Sequence, residues 1–129
     1  MYKTISYWTA PQPQDIEAFE EYYQQVHGPM AARVPGLQRL ELCRTGDGFA
    51  GEPPPFYRVA EMYFSDRAAM ERATMTPEWA ELGENAGGLI GRFHVTLRTG
   101  HGIVVEAQLA PSGPKPVITD KLQSLVERH

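Results

Sequence analysis

Between Asp15 and Gly36 large apolar and aromatic residues recur at spacings of three and four, and no other stretch constrains the fold so tightly. Ile16, Phe19, Tyr23, Val26 and Met30 form the buried stripe of a helix, while Glu17, Glu20, Glu21, Gln24 and Gln25 fill much of the remainder. Asp15 stands where an N-cap is expected, and Pro35-Gly36 closes the helix. One feature does not suit a helix built only for packing. Gly28-Pro29 disturbs the backbone ladder, because proline has no N–H and its ring crowds the preceding turn. His27 stands beside that break, one turn beyond Tyr23 and at the edge of the apolar stripe. Imidazole titrates near neutrality, so a half-buried histidine is a natural proton donor or acceptor.

The flanking segments read as strands. Residues 3–9 (KTISYWT) alternate and are rich in β-branched and aromatic side chains, and Pro11 and Pro13 end them. Residues 37–45 (LQRLELCRT) place Leu40 and Leu42 on one face and Arg39, Glu41 and Cys43 on the other. The segment 45–55 is too rich in Gly and Pro for regular structure. Residues 57–64 (YRVAEMYF) carry large apolar groups on both faces. Ser65 or Asp66 then caps a helix to about Ala73, and Thr76-Pro77-Glu78 starts another, with Trp79, Leu82 and Leu89 inward and a weak, glycine-rich end. Residues 92–99 (RFHVTLRT) are expected as a fourth strand, with 102–107 extending it or pairing with it. The tail, 108–129, reads as a Pro-rich linker and a short terminal helix over 118–128, distinct from a domain spanning 1–107.

The order β-α-β-β-α-β specifies an α+β fold, the ferredoxin-like split βαβ arrangement with an antiparallel sheet. In that fold helices cover one face of the sheet. A third strand that is apolar on both sides therefore calls for a cover over the second face, and a homodimer packed sheet against sheet is the simplest.

Charge and composition narrow the partners. A formal net charge of −4 gives no electrostatic reason to expect nucleic acid or an anionic membrane. No apolar run approaches the length of a membrane span, and MYKTISYW lacks the apolar core of a signal peptide. The single cysteine, Cys43, excludes an internal disulfide and fits a reducing compartment, so a cytoplasmic location is expected. There is no H-E-x-x-H, Cys/His cluster, calcium-type loop, phosphate loop or dinucleotide fingerprint, so neither metal nor cofactor is expected.

FEEYYQQVHGPMAARVPGLQRLEL (19–42) combines an aromatic-rich helix, His-x-Pro and Pro-Gly-Leu before a strand. PPPFYRVAEMYFSDRAAMERA (53–73) adds a strand with a mid-strand carboxylate, Glu61, and a following helix. In these features the chain resembles the EthD-like family of the dimeric α/β-barrel superfamily, over residues 1 to about 106. The resemblance implies a ferredoxin-like protomer that dimerises into an α/β barrel. It also implies chemistry of the kind found among lactone isomerases and cyclases or dehydratases of aromatic polyketide-like substrates.

His27 is the leading candidate for proton transfer, set against a bland role as a hydrogen-bonded histidine at the core edge. In an apolar cleft it would be a neutral general base. Tyr23 could orient a substrate oxygen or supply a proton, and Glu61 needs a charge partner among Arg39, Arg58 and His27. Trp8, Met30, Arg33 and Tyr63 are candidate substrate-binding residues. The sequence thus points to a cofactor-free enzyme acting on a small hydrophobic, aromatic or lactone-like substrate. The alternatives are a non-catalytic small-molecule-binding or stress-related dimer and, ranked lowest, a haem-associated or oxygen-using protein.

Overall fold

The alternating segments become one antiparallel sheet in the computed structural model, which describes residues 1–111. The strands are β1 (Tyr2–Trp8), β2 (Arg39–Arg44), β3 (Arg58–Phe64) and β4 (Leu97–Ile103), in the spatial order β2-β3-β1-β4. Helices fill the β1–β2 and β3–β4 connections, which gives the α+β, ferredoxin-like split βαβ arrangement. The terminal helix expected over 118–128 lies outside the described residues.

The first connection differs from the uninterrupted helix expected. A 3-10 turn, Pro13–Asp15, leads into it, and the Asp15 side chain caps nothing. Its backbone is already near-helical (φ −101°, ψ −6°), not in the extended conformation a capping side chain requires. Helix α1 (Ile16–Tyr22) then widens into a π-turn, Tyr23–His27, before α2 (Gly28–Ala31). The Gly28 N–H bonds to the Tyr23 carbonyl, five residues back. Pro29 accounts for this. An unbroken α-helix would press its ring against the Gln25 carbonyl, and a wider turn relieves that clash.

The π-turn shifts the buried stripe. Phe19 and Tyr23 are fully buried as the spacing predicts, but the next inward residues are His27, Ala31 and Val34. Val26 is exposed and Met30 only half-buried, which corrects both assignments. One extra residue per turn rotated them outward and brought His27 from the edge of the stripe to its centre.

In the second connection Asp66 accepts from the Ala69 N–H at 2.8 Å and caps α3 (Arg67–Ala73). Thr76 caps α4 (Pro77–Phe93), with Pro77 at its start. This helix passes through Gly83, Gly87, Gly88 and Gly91 and takes in Arg92 and Phe93, which were expected to open the fourth strand. Packing overrides propensity here, because Ala86, Leu89 and Phe93 bury one side against Trp8, Phe19 and Tyr23. His94 ends the helix in the left-handed conformation (φ 54°), and β4 begins only at Leu97.

The core under the helices forms two clusters. One gathers Tyr2, Val34, Met62, Phe64 and Met70; the other gathers Trp8, Phe19, Tyr23, Leu89 and Phe93. A cavity separates them. The opposite sheet face pairs Lys3 with Tyr63, Ile5 with Glu61 and Glu41 with Glu61 across neighbouring strands. Among the described residues no helix covers that face.

Candidate active site

The cavity has a volume of about 420 Å³ and lies between the sheet and the helices, lined by Thr4, Trp8 and Met62 below and by Tyr23, His27 and Ala86 above. This size suits a small organic molecule. Arg67 and Glu71 of α3 and Thr99 and His101 of β4 are exposed lining residues and mark its mouth. Trp8 and Tyr23 lie at the shielded end, only 1% and 0% exposed.

The π-turn delivers His27 into this end. Its ring centroid is 5.4 Å from Trp8, edge-on, and 5.3 Å from Tyr23. His27 Nδ1 lies 2.9 Å from Asn85 Oδ1 on α4, and Asn85 Nδ2 donates to the Tyr22 hydroxyl at 2.7 Å. With the amide so oriented, Nδ1 carries the imidazole proton and Nε2 keeps a free lone pair. Burial lowers the His27 pKa from its ordinary 6.5, with the Asn85 bond acting in the other direction. The ring is neutral at pH 7.

Three buried polar atoms on cavity-lining residues have no hydrogen-bond partner among the described residues: Thr4 Oγ1, Trp8 Nε1 and Tyr23 OH. Buried donors are seldom left unpaired, since each forfeits its hydration without compensation. Tyr23 stays protonated, because burial pushes its phenol up to about 12 against a smaller downward pull from Arg58. The Arg58 guanidinium lies 4.6 Å from the centre of the Tyr23 ring. Arg58 is itself buried and pairs through Nη2 with Glu20, to which Tyr57 OH also donates at 2.9 Å. Burial alone would raise the Glu20 carboxyl, yet the bonds from Arg58 and Tyr57 hold it below its usual range. The ion pair buttresses the inner wall.

Of the sequence candidates, then, His27, Tyr23 and Trp8 meet at one cavity. Glu61 and Tyr63 do not join them. Strand alternation turns both to the uncovered sheet face, where Lys3 bonds Glu61 at 2.8 Å and Tyr63 OH donates to Glu41 at 2.9 Å. Glu61 thus finds its cation in Lys3, and not in Arg39, Arg58 or His27. Arg33 is exposed just beyond α2, and neither Arg33 nor Met30 lines the cavity. The sequence reading missed Asn85, which lies 58 positions from its partner. It also placed Glu20 among the surface residues of the first helix. Among the described residues no His, Cys, Asp and Glu groups converge to hold a metal ion, and no helix is long and apolar enough to cross a membrane.

The family model described as the EthD domain matches residues 11–92. The chain belongs to the EthD family. An uncharacterised 11.0 kDa protein of the thcB-thcC intergenic region of Rhodococcus erythropolis is 32% identical over 81 residues, which cover 63% of this chain and 74% of that one. The crystal structure of an EthD family protein from Bacillus halodurans superposes with a TM-score of 0.67 at 30% identity, covering 80% of this chain and 99% of that one. SnoaB, a cofactor-independent oxygenase from Streptomyces nogalater, has a TM-score of 0.57 at 19% identity, over 82% of this chain and 94% of that one, a likeness of fold alone. The matched span of the EthD domain contains Tyr23, His27 and Asn85, whereas Trp8 and β4 fall outside it.

Proposed function

We propose that this EthD-family chain is a cofactor-independent enzyme that moves a proton on a small hydrophobic, aromatic or lactone-like substrate, with His27 as general base. The observation that carries the reading is one cavity lined by His27, whose Nδ1 is held by Asn85, and by three residues, Thr4, Trp8 and Tyr23, whose buried polar atoms have no partner among the described residues. His27 Nε2 takes a proton from a carbon next to a carbonyl, or from a phenol, and the imidazolium then returns it elsewhere on the same molecule. The neutral Tyr23 phenol donates to a substrate oxygen, and Trp8 stacks or packs against the ring system. Isomerisation, cyclisation and dehydration all fit such a site. Binding without turnover is the second reading, and Asn85 argues against it, because a ligand held only by burial and hydrogen bonds has no need of a set tautomer.

The protomer works as a homodimer in this reading. Its uncovered sheet face carries half-buried Ile5, Tyr7 and Val59 around the Lys3–Glu61 pair, a surface suited to a second copy. Light scattering at micromolar concentration should return twice the protomer mass.

The decisive experiment compares wild type with His27→Ala on a panel of hydroxylated aromatics and lactones. Turnover should fall by 10²-fold or more, the usual contribution of a positioned base. Equal turnover by the variant would remove His27 from the mechanism. Binding of the panel with turnover by neither protein would favour the non-catalytic reading.

A further inference from the structure

Strand register lays out the cavity floor as a grid. Read across the sheet from β2 through β3 and β1 to β4, one row is Leu40, Met62, Thr4 and His101. The next row is Leu42, Ala60, Ser6 and Thr99. Every residue of both rows lines the cavity. In each row the residues from β2 and β3 are apolar, and those from β1 and β4 carry a hydroxyl or an imidazole. The floor is therefore divided along the strand direction, hydrocarbon on one half and hydrogen-bonding groups on the other. Position in the sheet does not explain the division. Both β2 and β4 are outer strands, yet one puts leucines into the cavity and the other a threonine and a histidine. Thr4 stands on an inner strand, is buried, and its Oγ1 has no partner among the described residues. His101 is held at Nδ1 by the Tyr2 hydroxyl, so its ring is fixed and Nε2 is its remaining polar atom.

We infer that the cavity takes a flat ligand with two oxygen groups on one edge and hydrocarbon on the other, and that Thr4 with His101 and Ser6 with Thr99 read the oxygenated edge. This rests on the reading of the cavity as a substrate site, and adds which way round the molecule lies in it. Residues two apart on a strand are separated by about 6.6 Å, so the rows offer two separate contacts, one oxygen to each. Within a row the paired residues are closer, about 4.5–5.5 Å between Cα atoms, and either can serve the same oxygen. Hydroxyls both donate and accept, so a ligand carbonyl or hydroxyl suits them equally. Over β2 and β3 the same oxygen would lose its hydration and gain no partner. The apolar half thus rejects the wrong orientation as the polar half favours the right one. The hydrocarbon edge comes to lie beside α2, which approaches β2 so closely that a Cβ on Gly28 would stand 3.1 Å from Leu42 Cδ1.

The test uses 2,7-dihydroxynaphthalene, with both oxygens on one long edge, and 2,6-dihydroxynaphthalene, with its oxygens on opposite edges. The isomers match in size and composition, so the ratio of their dissociation constants, measured by calorimetry, reports orientation. Wild type should prefer the 2,7 isomer about fivefold or more, the value of one additional hydrogen bond. Ser6→Ala combined with Thr99→Val removes the hydroxyls of one row and should abolish the preference, leaving the 2,6 isomer bound nearly as before. Thr4→Val leaves His101 in its row and should lower the preference by less. A general loosening of the cavity would weaken both isomers alike and leave the ratio in place. Thr99→Val alone, at an exposed position on an outer strand, repeats the measurement should the double variant fold poorly. Equal binding of the isomers by wild type would overturn the proposal while leaving the cavity as a binding site. A preference that persists undiminished in every variant would overturn it as well. If wild type binds neither isomer, the reading of the cavity falls, and this inference with it.

Discussion

His27 and Asn85 stand 58 residues apart in the chain, and their side chains meet at 2.9 Å across the seam between the π-turn and α4. The contact sets which imidazole nitrogen carries the proton, and Tyr22 holds Asn85 from behind. Asn85→Leu should therefore act on the base and not on ligand capture, lowering kcat about tenfold or more with little change in KM. Asn85→Asp should place a carboxylate beside the ring and raise the His27 pKa, moving the acidic limb of the rate profile upward. Nitrogen-15 NMR of the imidazole checks both: wild type should show a protonated Nδ1 and a bare Nε2.

Acidification should weaken the fold before carboxylates begin to titrate. Burial depresses the folded-state pKa of His27 below its ordinary 6.5, so below that pH the unfolded chain binds the proton first. With more protons on the unfolded state, stability falls as pH falls, from about 6.5 down to the lowered folded pKa. Above 6.5 the ring is neutral in both states and contributes no slope. Glu20 acts in a separate window, because its lowered pKa protects the fold above its ordinary 4.5 and is lost only below it. Urea titrations between pH 7.5 and 5 should show the histidine slope in wild type and lose it in His27→Gln.

The first three strands were legible because each carries a local signal, the period-two alternation that places Thr4, Trp8 and Met62 beneath the helices. Asp66 and Thr76 were readable as caps for the same reason, since capping chemistry is local. Packing across the fold was not. The three- and four-residue spacing assumed regular α-helical turns, so Val26 and Met30 were assigned to the interior, and one π-turn rotated them out in favour of His27 and Ala31. Nothing local marked Arg92 and Phe93 as helical, because their place depends on Phe93 packing against Phe19 at 5.3 Å. The site was half legible. His27, Tyr23 and Trp8 were visible as residue types, whereas Asn85 and the Glu20–Arg58 pair exist only through distant contacts.

Breaking the Glu20–Arg58 pair should be the most damaging single change away from the cavity floor. Both side chains are under a tenth exposed, and the guanidinium is sandwiched between the carboxylate and the Tyr23 ring. Arg58→Leu leaves Glu20 with Tyr57, Gln24 and a longer contact of 3.7 Å to Arg44, so a buried charge loses its main partner. A loss of roughly 3–5 kcal/mol is expected at pH 7. The double replacement Glu20→Leu with Arg58→Leu should recover part of it, because no unpaired charge remains. Chemical denaturation of the three variants measures the coupling.

Glycines in the two connections should respond in opposite directions to the same substitution. At Gly28 a Cβ would lie 3.1 Å from Leu42 Cδ1 and 3.2 Å from the Tyr23 carbonyl, with the helix pressed onto β2 on one side and the π-turn on the other. The carbonyl is the acceptor that closes the wide turn, so it cannot retreat without disturbing His27. Gly28→Ala should therefore destabilise the fold by about 1–3 kcal/mol and lower turnover along with stability. At Gly87 and Gly88 of α4 an added Cβ meets nothing within 4 Å, and both positions face solvent. There alanine restricts the unfolded chain and improves helix propensity without a steric penalty, so each change should stabilise by about 0.5–1 kcal/mol. Thermal melts of the three single variants decide the matter. A stabilising Gly28→Ala would show that the π-turn tolerates displacement, and His27 would then owe its position to Asn85 alone.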